Sequence, residues 1–197
     1  MNRLEIINEF IKSFNYTSYL EIGVKATRDN FDYINCERKY GVDPEVSIDE
    51  YSPPSKGYQM TSDAYFLNLP EDIKFDLIFI DGLHTHEQVN KDIQNSLKHL
   101  AKNGTIVLHD CNPHNEKYET PRYCGTVWRA FYEARKKYDI DAYVINTDYG
   151  CGVIRRGGSK LVPTLDDSIL DFNFLDSNRA TILNLISVEA AKKKLLM

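Results

Sequence analysis

Acidic and histidine side chains stand at the ends of several apolar, β-rich runs of this sequence. Glu21 ends one run, Asp43 ends the next, and Asp81 ends a later one. If the runs are parallel strands, their carboxyl ends share one edge of a sheet, where ligands bind near the point of strand-order reversal. We therefore expect a site in that crevice, made of Glu21, Gly23, Asp43, Ser62, Asp63, Asp81, His84, His109 and Asp110.

Part of this set has the residue types for metal or acid–base chemistry. Asp81 and Asp110 end what would be adjacent strands, and their carboxylates are ligands that a Mg²⁺-like ion prefers. Without a metal, His84 or His109 could take a proton directly, because an imidazole titrates near neutral pH. Each residue alone could instead shape a turn or a loop. Their shared crevice favours a functional cluster with His84, His109 and Asp110 as catalytic candidates.

Glu21, Gly23 and Asp43 suggest a nucleotide cofactor. Gly23 follows the first strand and would let the backbone approach a ligand, while Glu21 could hold local amides or a ligand ammonium. Asp43 follows Glu21 by about the ~20 residues at which an acid reaches ribose hydroxyls in nucleotide-binding folds. The alternatives are a simple strand-to-turn glycine and a turn-forming aspartate before Pro44.

The order of elements predicts an α/β fold. Apolar runs alternate with helical patterns, which is typical of parallel strands joined by crossover helices in a Rossmann-like three-layer sandwich. Only residues 148–150 separate the last two runs, so these should form an antiparallel hairpin at the sheet edge. The predicted sheet is mostly parallel and has seven strands, over residues 19–24, 39–43, 58–61, 75–81, 105–110, 142–147 and 151–156.

Helix signals divide the chain further. Thr85 and Gln88 form a capping-box pattern that predicts a helix start after Asp81. Residues 102–104 should end that helix, with Gly104 in a left-handed conformation. An apolar stripe over residues 182–190 predicts one closing helix. We expect a single domain over 1–197: an amphipathic N-terminal helix in 1–18, the core in 19–157, and a helical tail in 158–197 packed on the core.

The segment 111–126 is polar and aromatic and lacks periodicity. A loop of this length is often a lid or a binding segment, so it is the expected source of acceptor specificity, with a disordered surface excursion as the rival interpretation. Trp128 should anchor the helix that follows. His86 and His99 are expected to be surface residues.

Composition excludes several partner classes. A net charge of −5 leaves no basic excess for phosphates, so nucleic acid is not expected as a partner. The N-terminal segment carries charges among its apolar residues and matches neither a signal peptide nor a membrane span. Four scattered cysteines fit neither a zinc site nor a disulfide framework, which favours the reducing cytoplasm. The sequence leaves a homo-oligomer possible.

Several motifs in order resemble the class I S-adenosylmethionine-dependent methyltransferases, and more closely a small bacterial family of the methyltransferase domain 24 type. The motifs are YLEIGV, GVDP, FDLIFIDGLHTHEQV, TIVLHDCNP, GTVW and CGVIRR, and they span most of residues 19–157. One departure is that the wider superfamily usually has a second glycine after Gly23, whereas this chain continues with Val24 and Lys25.

The resemblance implies a role for each crevice residue. Glu21 and Gly23 would line the methionine end of S-adenosylmethionine, Asp43 would hold its ribose, and Ser62 and Asp63 would flank its adenine. Asp81 would lie beside the cofactor, and related metal-dependent O-methyltransferases place acids where Asp81 and Asp110 stand. Those enzymes usually have another oxygen ligand beside the second acid, where this chain has Cys111 and then Asn112.

The expected function is methyl transfer to a small hydroxylated acceptor. The family analogy alone suggests a sugar or a glycan precursor. Because the cofactor's methyl group is already electrophilic, the protein must chiefly align an acceptor and exclude water. A non-catalytic relative that keeps the cofactor fold is one alternative. An NAD-dependent oxidoreductase is a weaker alternative, because no GxGxxG follows the first strand.

Overall fold

The computed structural model describes residues 1–158 and 162–195. The helices are α1 (Arg3–Phe14), α2 (Ser62–Asn68), α3 (His86–His99), α4 (Val127–Lys137), α5 (Phe172–Ile182) and α6 (Val188–Leu195). The strands are β1 (Ser18–Ile22), β2 (Arg38–Val42), β3 (Lys56–Tyr58), β4 (Phe75–Ile80), β5 (Leu100–Leu108), β6 (Ile140–Ile145), β7 (Cys151–Arg156) and β8 (Leu185–Ile186).

The described strands form one sheet in the order β3-β2-β1-β4-β5-β7-β6-β8. Only β7 among them runs against its neighbours, pairing antiparallel with β5 and with β6. The predicted α/β fold with a mostly parallel sheet and an antiparallel pair is thus confirmed. The strand order reverses between β1 and β4, so the crevice beyond their carboxyl ends is the expected ligand site.

Both faces of the sheet are buried, which explains the uninterrupted apolar runs. Ile78 and Ile80 point into a core under α2, α3, α4 and α5, whereas Leu77 and Phe79 point into a second core under α1 and α6. This alternation makes the three-layer sandwich, since successive side chains of a strand face opposite sides.

The helix starts predicted from the sequence agree with the structure. Thr85 accepts a hydrogen bond from the Gln88 backbone N–H and caps α3, although the Gln88 side chain bonds Ser62 and Asp63 instead of completing the box. Helix α1 starts one residue after Asn2, which forms a full capping box with Glu5. Trp128 is fully buried at the start of α4, as expected.

Two predicted element boundaries are wrong. The strand expected over 58–61 lies earlier, at Lys56–Tyr58, because the Thr61 side chain caps α2 and so begins a helix there. Helix α3 ends at His99, not at 102–104, and Gly104 lies within β5 rather than in a left-handed cap. A side chain at Gly104 would come within 2.7 Å of the Asp76 carbonyl oxygen, so close strand packing explains the glycine.

The prediction of a single closing helix is also wrong. The chain instead forms α5, turns at Asn184 with a left-handed φ of 46°, adds β8 beside β6, and continues into α6. Residues 159–161 and 196–197 of the predicted tail lie outside the described residues. The division of 1–197 into a helix, a core and a packed tail stays a prediction.

His99 is not a surface residue. It is buried, and its Nδ1 lies 2.9 Å from the Ile73 carbonyl oxygen, where it holds the turn before β4. His86 is partly buried, with Nε2 3.0 Å from Glu133. The four cysteines are free thiols. Among the described residues, no helix is long and apolar enough to cross a membrane.

Candidate active site

A cleft of about 680 Å³ opens beyond the carboxyl ends of β1, β2, β4 and β5. Its walls include all nine residues that the sequence singled out: Glu21, Gly23, Asp43, Ser62, Asp63, Asp81, His84, His109 and Asp110. A cavity of this size is in the range that encloses a small organic ligand. The structure therefore brings the whole predicted set together, with a nucleotide-like half near β1 and β2 and an acidic half near β4 and β5.

Gly23 lies at the cleft floor, where the loop after β1 lies against the loop after β4. Its φ is +85°, and an added Cβ would collide with the backbone carbonyl of Asp81. Because L-residues rarely adopt this conformation and backbone cannot move aside easily, only glycine fits here. The glycine thus lets the β1 loop lie directly against Asp81.

Replacing Gly23 by alanine should therefore distort the cleft floor. We expect the Gly23→Ala variant to lose about 2 kcal/mol or more of unfolding free energy, from left-handed strain and the backbone collision. Gly82→Ala is the matched control, because a Cβ there meets nothing closer than 3.6 Å. Chemical denaturation of both variants checks the prediction, and equal stabilities would contradict it.

Glu21 is buried at the floor of the cleft. Its Oε2 accepts hydrogen bonds from the Tyr19 hydroxyl at 2.5 Å and from the Asn30 amide at 3.1 Å. Burial raises the pKa of the Glu21 carboxyl to about 8, against the lowering effect of these bonds. A ligand cation beside Glu21 would favour its ionised form.

Asp43 shapes the loop and also faces the cleft. Its Oδ2 accepts from the Lys25 backbone N–H at 2.9 Å, and its Oδ1 accepts from those of Glu45 at 2.8 Å and Val46 at 3.3 Å. Each carboxylate oxygen has two acceptor positions, so one position remains, on Oδ2, for a ligand hydroxyl. Both interpretations of Asp43, turn former and ligand acceptor, are therefore compatible with one geometry.

Lys25 lies in the loop after Gly23, where the sequence Val24, Lys25, Ala26 and Thr27 contains no second glycine. It adopts a left-handed φ of 57°, a conformation that is uncommon for a residue with a side chain. The hydrogen bond from its N–H to Asp43 helps to hold that conformation. The loop thus makes the left-handed turn without the glycine.

Ser62 and Asp63 begin α2 and contact α3. The Gln88 side-chain amide donates to Ser62 Oγ at 3.2 Å and to Asp63 Oδ1 at 3.0 Å, and Lys91 forms an ion pair with Asp63 at 3.0 Å. These contacts fix the far end of the nucleotide-like half. Behind them lies Asp92, a buried acid whose pKa burial raises to about 6.

Asp81, His84 and Asp110 converge at the other end of the cleft. One potential ligand atom from each lies within 4.8 Å of the others, with His84 Nε2 3.3 Å from Asp81 and 3.5 Å from Asp110. The other ring nitrogen of His84, Nδ1, contacts the Tyr123 carbonyl oxygen. Because a carbonyl only accepts, Nδ1 carries the proton and Nε2 points at the two carboxylates.

His109 has carboxylates around both ring nitrogens. Its Nδ1 lies 3.4 Å from Asp81 and 3.2 Å from Asp110, and its Nε2 lies 3.5 Å from Asp148. Burial lowers the pKa of His109, but these carboxylates outweigh burial and raise it to about 12. Arg3 Nη1 also lies 3.5 Å from His109 Nε2. The role of His109 as a catalytic residue stays a prediction.

The same hydrogen bonds keep Asp81 ionised. Burial alone would raise its pKa, yet the contacts with His109 and His84 hold the pKa of the carboxyl at about 2. His109 also lowers the pKa of the Asp148 carboxyl. Asp81 therefore stays negatively charged near neutral pH, because the neighbouring histidine rings favour its ionised form.

Two residues of this cluster were not predicted from the sequence. Arg3 comes from α1, with Nε 3.8 Å from Asp81 and Nη1 3.5 Å from Asp148. Asp148 comes from the turn between β6 and β7 and accepts from the Arg3 backbone N–H at 2.8 Å. No local sequence pattern marks either residue, because the contacts join residues that lie far apart in the sequence.

Asp110 and Asp148 also have left-handed backbones, with φ values of 61° and 47°. Such conformations are costly for residues with side chains and are often found at functional sites. Both carboxylates form ion pairs with His109, at 3.2 Å for Asp110 and 3.5 Å for Asp148.

The loop 111–126 is held at several points along its length. Asn112 bonds Arg179 at 2.5 Å and Asn146 at 3.0 Å, and Glu119 accepts from the Trp128 indole at 2.6 Å. The Asn112 side chain is therefore directed away from Asp81 and Asp110. The third side chain that converges with these two carboxylates is His84 instead. Pro121 and Arg122 of this loop line the cleft.

Comparison with known proteins agrees with this geometry. Residues 21–111 match a protein family described as a methyltransferase domain. No curated protein sequence matches the chain. The resemblance drawn from the motifs is confirmed over residues 21–111, which are similar to a methyltransferase domain.

Solved structures with a similar fold are also methyltransferases. An O-methyltransferase from Bacillus cereus in complex with S-adenosylhomocysteine superposes with a TM-score of 0.62 at 11% identity, over 77% of this chain and 79% of that chain. An S-adenosylhomocysteine-bound methyltransferase from Podospora anserina gives 0.60 at 15% identity, over 79% and 78%. An O-methyltransferase of tomaymycin synthesis from Streptomyces achromogenes, in complex with S-adenosylmethionine, gives 0.60 at 13% identity, over 79% and 80%. At these identities the likeness shows the fold.

Proposed function

Because residues 21–111 match a methyltransferase-domain family and the chain has the fold of S-adenosylmethionine-dependent methyltransferases, we propose that it methylates a hydroxyl oxygen of a small acceptor. The convergence of Asp81, His84 and Asp110 beside the nucleotide-like half of the cleft carries this proposal. A hydroxyl is a weak nucleophile near neutral pH, so its oxygen needs help in losing a proton. A nitrogen acceptor would not need an acidic cluster of this kind.

The nucleotide-like half fits S-adenosylmethionine. Gly23 leaves room for the backbone to approach a ligand, Asp43 retains acceptor capacity for ribose hydroxyls, and Ser62 and Asp63 lie at the far end for the adenine. Glu21 is placed for the ammonium of the methionine end. These assignments follow the order of the residues along the cleft wall.

When bound, S-adenosylmethionine supplies an electrophilic methyl group on a sulfonium. The acceptor oxygen forms the new O–C bond while the S–C bond breaks, its electron pair stays on sulfur as S-adenosylhomocysteine, and the hydroxyl proton leaves. The chain must align the oxygen with the methyl group, keep water out and receive that proton. Asp110 is the buried carboxylate placed to receive it, with His84 beside it.

The donor set also fits a divalent cation. Two carboxylates and an imidazole converge, and His84 Nδ1 is held by a carbonyl, as is common for a histidine that ligates metal through its other nitrogen. Such an ion would lower the pKa of an acceptor hydroxyl. The two carboxylates suit Mg²⁺ or Mn²⁺, whereas the imidazole favours a transition-metal ion over Mg²⁺. Asp81, His84 and Asp110 would hold it.

The non-catalytic alternative rested on the departure from the superfamily's glycine pattern between Gly23 and Thr27. Lys25 nonetheless makes a left-handed turn within this stretch, so the departure is weak support for that alternative. The loop is therefore built to lie against Asp43 as a cofactor loop would. We infer that the chain is an active enzyme.

A transfer assay with chelation tests the proposed function. The protein is incubated with S-adenosylmethionine and a panel of sugars, nucleotide sugars and catechols, and S-adenosylhomocysteine formation is measured. We expect turnover with at least one hydroxylated acceptor, a loss of about tenfold or more after treatment with EDTA, and recovery with Mn²⁺ or Mg²⁺. Full activity after chelation would contradict the cation, whereas turnover only with amines would contradict the hydroxyl acceptor.

A further inference from the structure

Arg3 forms part of the cleft wall although it lies in the N-terminal helix. Its backbone N–H donates to Asp148 at 2.8 Å, which fixes the start of α1 against the turn between β6 and β7. Its guanidinium lies 3.8 Å from Asp81 through Nε and 3.5 Å from Asp148 through Nη1. The side chain keeps 31% of its surface exposed, so it is partly buried and still reachable from the cleft.

One donor of this guanidinium is not used. Within residues 1–158 and 162–195, Arg3 Nε is buried and has no hydrogen-bond partner, since Asp81 is beyond hydrogen-bond range. A buried donor without an acceptor is destabilising, and native proteins usually satisfy such groups. An unused donor in a cleft wall therefore points to a ligand atom that accepts.

The charges of the cleft indicate which ligand group that is. Carboxylates dominate the walls, including Glu21, Asp43, Asp81 and Asp110, so an anionic ligand group would be repelled almost everywhere. Lys25 and Arg122 also line the cleft, but of these three cations Arg3 is the one in ion-pair contact with Asp81, whose backbone in turn lies against Gly23. This is the position proposed above for the methionine end of the cofactor.

We infer that Arg3 binds the α-carboxylate of the methionine part of S-adenosylmethionine. The inference rests on the proposed function, because it takes that cofactor as the ligand. The amino-acid end carries an ammonium, which suits Glu21, and a carboxylate, which needs a cation. A guanidinium is planar and matches a carboxylate with two donors at once. Helix α1 thus completes the cofactor site.

Two ligands separate this role from a general effect on the fold. S-adenosylhomocysteine has the amino-acid end, whereas methylthioadenosine has the same nucleoside without it. We expect Arg3→Gln to weaken S-adenosylhomocysteine binding about tenfold or more in calorimetry and to leave methylthioadenosine binding unchanged. Arg3→Lys keeps the charge but loses the planar fork, so it should give an intermediate loss. Lys12→Gln removes an exposed charge from the same helix and should change neither affinity.

Three results would overturn the inference. An equal loss for both ligands in Arg3→Gln would mean that Arg3 acts by holding the fold. Unchanged affinity for S-adenosylhomocysteine would mean that Arg3 does not touch the amino-acid end. Failure of the unmodified protein to bind either ligand would remove the proposed function itself, which distinguishes that outcome from the other two.

Discussion

Asp110→Asn should reduce methyl transfer by about 10²–10⁴-fold, the range expected when a positioned proton acceptor is lost. Asp110 is buried, lies within reach of His84 and His109, and is part of the proposed cation site. The amide keeps the shape of the side chain but neither takes the proton nor offers a charged ligand atom. Asparagine also tolerates the left-handed φ of 61° at this position, so the backbone should be retained.

Steady-state rates and cofactor affinity together test this expectation. S-adenosylhomocysteine affinity should stay unchanged, because Asp110 belongs to the acceptor half of the cleft. Asp72→Asn, an exposed aspartate in the turn before β4, is the control and should keep full activity. Retained turnover in Asp110→Asn, with normal folding, would remove Asp110 from the chemistry.

Asp43→Asn should weaken cofactor binding by about ten- to hundredfold in Kd, since hydrogen bonds to a charged group contribute about 1.5–3 kcal/mol. Asparagine is preferable to alanine here, because the Asp43 carboxylate also accepts from the backbone N–H groups of Lys25, Glu45 and Val46. The amide keeps one acceptor oxygen for the loop. Calorimetric titration with S-adenosylhomocysteine gives the change.

A deoxygenated ligand separates the two tasks of Asp43. If the carboxylate accepts from the ribose, the unmodified protein should bind S-adenosylhomocysteine more tightly than an analogue whose ribose lacks its hydroxyls. Asp43→Asn should then lose most of that preference. Equal preference in the variant and the unmodified protein would mean that Asp43 only shapes the loop.

Much of the fold follows from periodic burial. The runs at β1, β4, β5, β6 and β7 are apolar on both faces, and a central parallel sheet explains that pattern. Sequence patterns failed to predict short elements that depend on tertiary packing. β8 has only two residues and exists because Leu185 and Ile186 pair with β6, so no local pattern predicts it.

The site residues were predictable because each follows a strand. Asp43 and Asp81 come directly after β2 and β4, and Asp110 comes two residues after the end of β5, so the topology alone brings them to one edge. Arg3 and Asp148 were not predictable. They lie 145 positions apart in the sequence, and neither stands at the end of an apolar run whose end was expected to line the cleft. Their contact appears only when α1 docks on the turn between β6 and β7.

The role of His109 shows a second limit of the sequence. Its type and position suggest a base, since an imidazole titrates near neutral pH. Three carboxylates around the ring raise the pKa of His109, an environment that the sequence does not reveal, and its catalytic role stays a prediction. His84, whose Nε2 points at Asp81 and Asp110, is the imidazole placed for chemistry.

The most direct test of the central claim is calorimetric titration of the purified protein with S-adenosylmethionine and S-adenosylhomocysteine, with and without a divalent cation. We expect one site with micromolar affinity for both ligands, lost or strongly weakened in Asp43→Asn. Absence of binding under every condition would contradict the proposed function, and would leave a methyltransferase-like fold whose cleft serves another ligand.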